Sequence, residues 1–425
     1  MEGVGVQGKA LLLLLLCIIF GNGVVVNGKG KSVSIERERE IEQKLKQLNR
    51  PAVKTIQSED GDIIDCVDIH KQPAFDHPLL RNHTIQLRPS DEVLKIIGAD
   101  SSSFSSSGSP EGPIQTWQKS GRCPEGTIPM LRVERRHLLN TSSIKNYGKK
   151  PWHGVTNHRI HTLNQSLNVE ISKLHQTAVL VAEGFSYIGS KANLNLWKPY
   201  VAAHDEYSSS QIWMRNGPFS NADSLETGWI VYPDLYDDSE SRLFVYWTTD
   251  SGQSTGCFNL MCPGFVQTNH DIVLGARFSP ISTDGGPQYQ ITLTITRDYD
   301  KSVWWLAYGK TNQTTIGYWP VGIFRGLSKV ATVTLFGGDV YSPRMTKTPH
   351  TDTDMGSGKY PTEKWSHASF VSEARIMDYS KSFKFPDPAF PSSMHDECYG
   401  AIIYGDNATE PIFYFGGPGR NDQCP

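Results

Sequence analysis

Two acidic residues far apart in the chain, Glu226 in Ser-Leu-Glu-Thr-Gly-Trp and Asp339 in Leu-Phe-Gly-Gly-Asp-Val, stand in apolar, aromatic, strand-like surroundings. A carboxyl group in such a place is costly unless it is partnered or used in chemistry. If the fold brings the two side chains together, they form a dyad. One ionised group can then take a proton from water while the other, protonated, hydrogen-bonds a carbonyl, because two close like charges do not both persist. Each acid taken singly also has a bland reading. Glu226 could accept backbone N–H bonds at a strand end, and Gly-Gly-Asp is an ordinary turn sequence.

Other chemistries fit less well. There is no His-Glu-X-X-His, and the 13 histidines are scattered without ligand spacing. Asp352-Thr-Asp354-Met-Gly356 begins like a calcium loop but lacks the later acidic ligands. No metal or other cofactor is expected. Gly252-Gln-Ser254-Thr-Gly256 matches the nucleophile-elbow pattern, yet a short loop from Cys257 to Cys262 follows where a helix should begin, so a turn is expected. Glu206, beside Asp205 and a serine run, is a third acid held in reserve. Gln211, Tyr246 and Gln253 are polar residues that could supply donors to a tetrahedral oxyanion. Trp213, Trp229, Trp247 and Trp319 could stack on a proline ring, although most such residues are packing.

The elements that must position these residues are strands. From about Gln176 onward, short β-branched and aromatic runs alternate with Gly, Pro, Asp and Asn, without interleaved helices. That texture predicts an all-β, antiparallel β-sandwich from 171 to 425. Ahead of it, residues 33–49 place Ile41, Leu45 and Leu48 on one face of an amphipathic helix, and 62–70 read as a strand. A small α+β unit is therefore expected over 33–134. Residues 99–113 are almost wholly Ser, Gly, Asp, Pro and Glu and have no capacity to form a core. Residues 135–170 begin with a basic, polar stretch carrying Arg135-Arg136 and Lys149-Lys150, expected to be an exposed linker open to proteolytic processing.

The whole chain sets the setting. Its 425 residues allow two or three domains, and a net charge of −3 points away from nucleic acid. Residues 1–28 read as a secretory signal, with Lys9 before an apolar run from Ala10 to Phe20 that is too short to span a bilayer. A secreted or vacuolar product, free of the membrane after cleavage, is expected. Six cysteines remain after the signal. Their clustering points to Cys66 with Cys123, Cys257 with Cys262, and Cys398 with Cys424 among fifteen arithmetical pairings. Asn-X-Ser/Thr sequons lie at Asn82, Asn140, Asn164, Asn312 and Asn407.

Several long segments carry a resemblance: Ser-Leu-Glu226-Thr-Gly-Trp, Tyr246-Trp-Thr-Thr-Asp, Thr255-Gly-Cys257-Phe-Asn-Leu-Met-Cys262-Pro-Gly-Phe, Gly317-Tyr-Trp-Pro, Phe336-Gly-Gly-Asp339, Met355-Gly-Ser-Gly and the terminal Phe415-Gly-Gly-Pro-Gly-Arg-Asn-Asp-Gln-Cys424-Pro. Together they resemble the neprosin family of plant secreted glutamic peptidases. The region from Asp62 to Leu131, with Cys66-Val-Asp-Ile-His, resembles that family's activation peptide. The resemblance implies a zymogen whose propeptide inhibits a β-sandwich peptidase, one that cleaves peptides or proteins, including proline-rich ones, after proline at acidic pH without a metal. Glu226 falls on the family's first catalytic glutamate. Asp339 stands where the family has its second, one methylene shorter, and misplacement by about 1 Å can cost about 10²-fold in rate. The alternative is a catalytically silent sandwich that binds a cell-wall polymer or protein through the same cleft.

Overall fold

The computed structural model describes residues 24–25, 33–98, 113–151, 155–161, 166–405 and 410–425. The expected signal sequence (all but Val24 and Val25), the Ser/Gly-rich stretch (all but Pro113) and the sequons at Asn164 and Asn407 lie outside the described residues. Among the described residues no helix is long and apolar enough to cross a membrane.

Short β-branched and aromatic runs fold the chain beyond residue 174 into two packed antiparallel sheets, each with one face in the shared core. The front sheet has seven strands: β1 (His175–Tyr187), β2 (Tyr207–Asn216), β3 (Asp223–Val231), β4 (Arg242–Thr248), β5 (Cys257–Phe258), β6 (Ala331–Tyr341) and β7 (Ala389–Ser393), in the spatial order β5-β4-β3-β2-β6-β1-β7. The back sheet is built on the strands Gly189–Asn195, Gln290–Asp298, Val303–Tyr308, Thr314–Pro320 and Ser369–Met377. Ile212, Met214, Leu225 and Trp229 of the front sheet share the core with Leu194, Leu293, Trp304 and Val371 of the back sheet. Side chains alternate along a strand, so Tyr207, Ser209, Gln211 and Trp213 of β2 project from the opposite, outer face.

The N-terminal unit is α+β, as the sequence predicts. Helix α1 (Ile35–Leu48) is capped by Ser34, whose Oγ accepts from Arg37 N at 3.2 Å, and its stripe buries Ile41 and Leu48. Strands Ala52–Gln57, Ile63–Asp68 and Thr127–Leu131 form a small sheet, and α2 (Asp91–Ile97) follows the Pro-rich turns. Disulfides join Cys66 to Cys123 within this unit, and Cys257 to Cys262 and Cys398 to Cys424 in the sandwich.

The unit clasps the sandwich on two faces. Ala74, Val93, Leu94 and Ile97 pack against Val266, Val303, Trp305 and Tyr318 on the outside of the back sheet. Ile41, Leu48 and Val133 join Tyr207, Phe244 and Tyr246 on the outside of the front sheet. Asp62 is also bonded to the buried guanidinium of Arg242 at 2.8 and 2.9 Å.

The basic stretch after residue 134 departs from expectation. It forms helix α3 (Arg135–Asn140), and His137, Leu138, Ile144 and Tyr147 are buried against the front sheet rather than lying in an exposed linker. The charged residues are interleaved with apolar ones that cover the sheet's aromatic outer face, and burial of that surface outweighs the solvation of the loop.

Candidate active site

Glu226 and Asp339 project from the same outer face, on β3 and β6, with β2 between them. Their partners on β2 are Trp213 and Ser209, both on the face of Gln211. Gln211 lies midway and is paired across both ladders with a glycine, Gly228 on β3 and Gly337 on β6. A Cβ at Gly228 would lie 2.7 Å from Gln211 Cβ and 2.0 Å from Ser210 O, and one at Gly337 would lie 2.3 Å from Ala178 O. The glycine in Glu-Thr-Gly thus lets β3 close on Gln211, whereas Gly337 of Gly-Gly-Asp lets β6 lie close to β1 and has a positive φ of 145°.

Both carboxyl groups are buried and fully partnered. Glu226 Oε2 accepts from Gln211 Nε2 at 2.8 Å, and Oε1 accepts from Ser224 Oγ at 3.0 Å. Asp339 Oδ2 accepts from Tyr207 Oη at 2.8 Å, and His175 Nδ1 lies 3.1 Å from Oδ1 and 3.3 Å from Oδ2.

One ammonium group joins them. Lys150 Nζ lies 2.8 Å from Glu226 Oε2 and 3.3 Å from Asp339 Oδ2. The two carboxyl oxygens can therefore be no farther apart than those two contacts laid end to end. The lysine belongs to the segment after α3, and its neighbour Pro151 turns its carbonyl toward His175 Nε2 at 3.3 Å.

The electrostatics follow from this arrangement. Burial alone would raise the Asp339 carboxyl, but His175, Lys150 and the hydrogen bonds from His175 and Tyr207 more than offset it and hold the group well below the usual carboxylate range. Burial likewise works against the Lys150 ammonium, and the two carboxylates reverse that and hold it above its ordinary value. Burial and the Asp339 charge push the Tyr207 phenol well up, which keeps it a donor.

The remaining sequence candidates separate clearly. Tyr246 is the cross-strand partner of Glu226 on β4, with its ring centroid 5.5 Å from Lys150 Nζ. Gln253 lies apart in an exposed turn, where its amide donates to the carbonyls of Ser220 and Asp250 at 2.6 and 3.0 Å. Ser254 in the same turn bonds Asp250. Glu206, the reserve acid, is fully buried, where it accepts from Ser342 Oγ at 2.7 Å, Thr351 Oγ1 at 2.5 Å, Arg344 Nη2 at 3.0 Å and Thr353 Oγ1. That places it in a structural network. Of the four tryptophans, Trp213 lies on the outer face with Val179 and Val181, whereas Trp229, Trp247 and Trp319 belong to the sandwich core. Asn82, Asn140 and Asn312 are exposed. Among the described residues one group has metal-ligand proximity, His350 with Cys398 and Cys424, but its two sulfurs form a disulfide.

Sequence reasoning missed Lys150, His175, Tyr207 and Ser224 as members of the site. Ser224 was within reach, since it stands two residues before Glu226 on a strand and so shares its face. Nothing local marks the other three.

Residues 204–418 match the family model described as Neprosin, and residues 55–181 match that described as Neprosin activation peptide. Solved structures show slight likeness. One is scytalido-glutamic peptidase with a peptide-based transition state analog, at 10% identity over 58% of this chain and 98% of that one, with a TM-score of 0.31. Another is SCP-B, a member of the Eqolisin family, in complex with the tripeptide Ala-Ile-His, at 10% identity over 57% of this chain and 96% of that one, with a TM-score of 0.27.

Proposed function

Because this chain belongs to the neprosin family and carries that family's activation peptide ahead of the peptidase body, we propose that it is an exported zymogen whose Glu226 and Asp339 hydrolyse peptide bonds, after proline, in acid. The observation that carries this reading is the single ammonium in contact with both carboxyl groups. A water molecule at the position of Lys150 Nζ is within hydrogen-bonding reach of both acids. The missing methylene of Asp339 therefore does not put it out of range.

The chemistry balances with two carboxyl groups and one proton between them. The water oxygen bonds the carbonyl carbon as one carboxylate takes the water's proton and the other carboxyl gives its own to the carbonyl oxygen. When the C–N bond breaks, the first carboxyl protonates the departing amine and the second recovers the hydroxyl proton. Gln211, in register with a glycine on each neighbouring strand, brings a neutral donor to the site, 2.8 Å from Glu226, and suits the oxyanion. Trp213, beside Glu226 in register, offers a flat apolar face for a proline ring.

Lys150 accounts for latency in this reading, because it occupies the water's position and neutralises both acids. Processing between Pro151 and His175 would release it. Strand β1 is paired on both edges, to β6 and β7, and stays with the sandwich although the activation-peptide match runs to 181.

The test is hydrolysis of a proline-containing peptide by acid-activated protein, with Glu226→Gln and Asp339→Asn alongside. Each substitution is expected to lower kcat by about 10²–10⁴-fold, the usual worth of a general acid or base. Cleavage untouched by either would remove the dyad. No cleavage anywhere between about pH 2 and 6, where carboxyl groups titrate, would favour a binding protein instead.

A further inference from the structure

The two acids differ in what remains beside them once the covering segment is gone. Glu226 is left with Gln211 Nε2 and Ser224 Oγ, both neutral. A permanent cation on its side is Arg215, two residues beyond Trp213 on β2. Its guanidinium lies 4.5 Å from the Phe219 ring and donates to the Phe219 carbonyl at 3.4 Å, so it acts on Glu226 only through space.

Asp339 keeps His175, which opens β1 and pairs with Tyr341, one diagonal step from Asp339 on the same face. The imidazole is held between Tyr207 and Tyr341, with ring centroids at 5.8 and 5.1 Å. Its Nδ1 faces both Asp339 oxygens and also lies 3.3 Å from Tyr207 Oη, while Nε2 faces the Pro151 carbonyl. While the covering segment is in place, both ring nitrogens face oxygen acceptors and are both served as donors only by the imidazolium; once Pro151 has left, Nδ1 still faces Asp339, and the imidazolium is the form histidine takes in acid. The shorter side chain at 339 keeps its carboxylate beside this neighbouring strand.

We propose, resting on the dyad reading, that His175 is the positioning residue that assigns the proton: its imidazolium holds Asp339 as the carboxylate that accepts the water's proton, which leaves Glu226 to protonate the scissile carbonyl. The groups that face Asp339 are His175 from β1, Tyr207 from β2, Lys150 from the covering segment and, across the shared contact, Glu226 from β3. Lys150 and Pro151 depart on processing. His175 and Tyr207 do not. Two acids near one water keep one proton, and a cation beside only one of them decides which acid holds it.

The experiment is the pH profile of kcat/KM for the processed enzyme on a proline-containing peptide. Its acidic limb reports the base in the free enzyme. With His175→Gln the limb is expected to move up by about one pH unit or more, since the charge that favours the carboxylate is gone while a donor remains. His175→Lys, which restores a cation, is expected to return the limb toward the parent position. A purely structural role would lower the rate of both variants and leave the limb where it was. An unmoved limb in His175→Gln, with Glu226→Gln and Asp339→Asn inactive, overturns the assignment and leaves the dyad standing. Activity in those two carboxamide variants removes the dyad itself. If His175→Gln does not fold, the side-chain carboxyl carbons of the processed parent, read by NMR at about pH 4, near the ordinary carboxyl range, decide the matter. An ionised Asp339 supports the assignment and a protonated one overturns it.

Discussion

Lys150 Nζ donates to Glu226 Oε2 at 2.8 Å, a buried ion pair between the covering segment and the front sheet. Removal of one partner of a buried pair leaves an uncompensated charge and typically costs 3–5 kcal/mol. With Lys150→Met the covering segment should be held less firmly and one of the two acids should take up a proton. The intact, unprocessed chain is then expected to hydrolyse peptide at least about tenfold faster than the intact parent, a change of about 1.4 kcal/mol in barrier. Electrophoresis alongside the assay verifies that the chain is still whole. An unchanged rate would show that the segment blocks the cleft without its lysine.

Lengthening the second acid should bring no gain. Asp339 already reaches the ammonium that touches Glu226 and already engages Tyr207 and His175. An added methylene must displace the carboxylate from those partners, and misplacement by about 1 Å can cost about 10²-fold. Asp339→Glu in the processed enzyme is therefore expected to have a kcat no higher than the parent, measured on the same peptide. A rise would identify the missing methylene as a defect of this chain.

Acid should loosen the covering segment through His137. Burial, reinforced by the Arg136 charge, pushes its imidazole down to about 4, and its Nδ1 accepts the Glu134 N–H at 3.1 Å, which needs the neutral ring. Between about pH 6.5 and 4 the unfolded chain binds a proton that the folded chain refuses, so stability falls as pH falls through that window and levels off below it, a loss of at most about 3 kcal/mol. His137→Gln keeps an acceptor but cannot charge. Thermal melts of the intact chain over this range should show a flatter dependence on pH for the variant. Equal slopes would assign the acid response to other groups.

Gly228→Ala should disable the site from behind. The added Cβ would meet backbone at 2.0 Å and Gln211 Cβ at 2.7 Å, so β2 and β3 must part where Gln211 reaches Glu226. Overpacking of this kind typically costs 1–3 kcal/mol. The expected outcome is a lower melting temperature together with a loss of kcat, and a variant with full kcat would remove Gln211 from the mechanism.

Much of the fold was legible locally. The helix stripe of Ile41 and Leu48, the run of short strands beyond residue 174 and the three cysteine pairs all follow from periodicity, β-branched content and clustering, which report burial on one side of an element. The basic stretch around α3 was misread because its charges dominate the composition, while its few apolar residues find a ready-made aromatic surface only in the folded protein. Glu206 stood as a reserve acid because the partners that make it structural, Ser342, Thr351 and Thr353, lie more than a hundred residues away.

The sequence by itself determined that Glu226 and Asp339 are acids in strands, that glycines flank them and that a family's motifs surround them, since each is a property of a short stretch of chain. Only the tertiary structure decided which residues stand beside those acids. The strand order β3-β2-β6-β1 brings His175 to Asp339 from 164 residues away, and the covering segment lays Lys150 across both acids. A carboxyl group's protonation depends on charges within a few ångströms, whatever their distance along the chain. The chemistry of the pair is therefore set by contacts between strands, which no local pattern records.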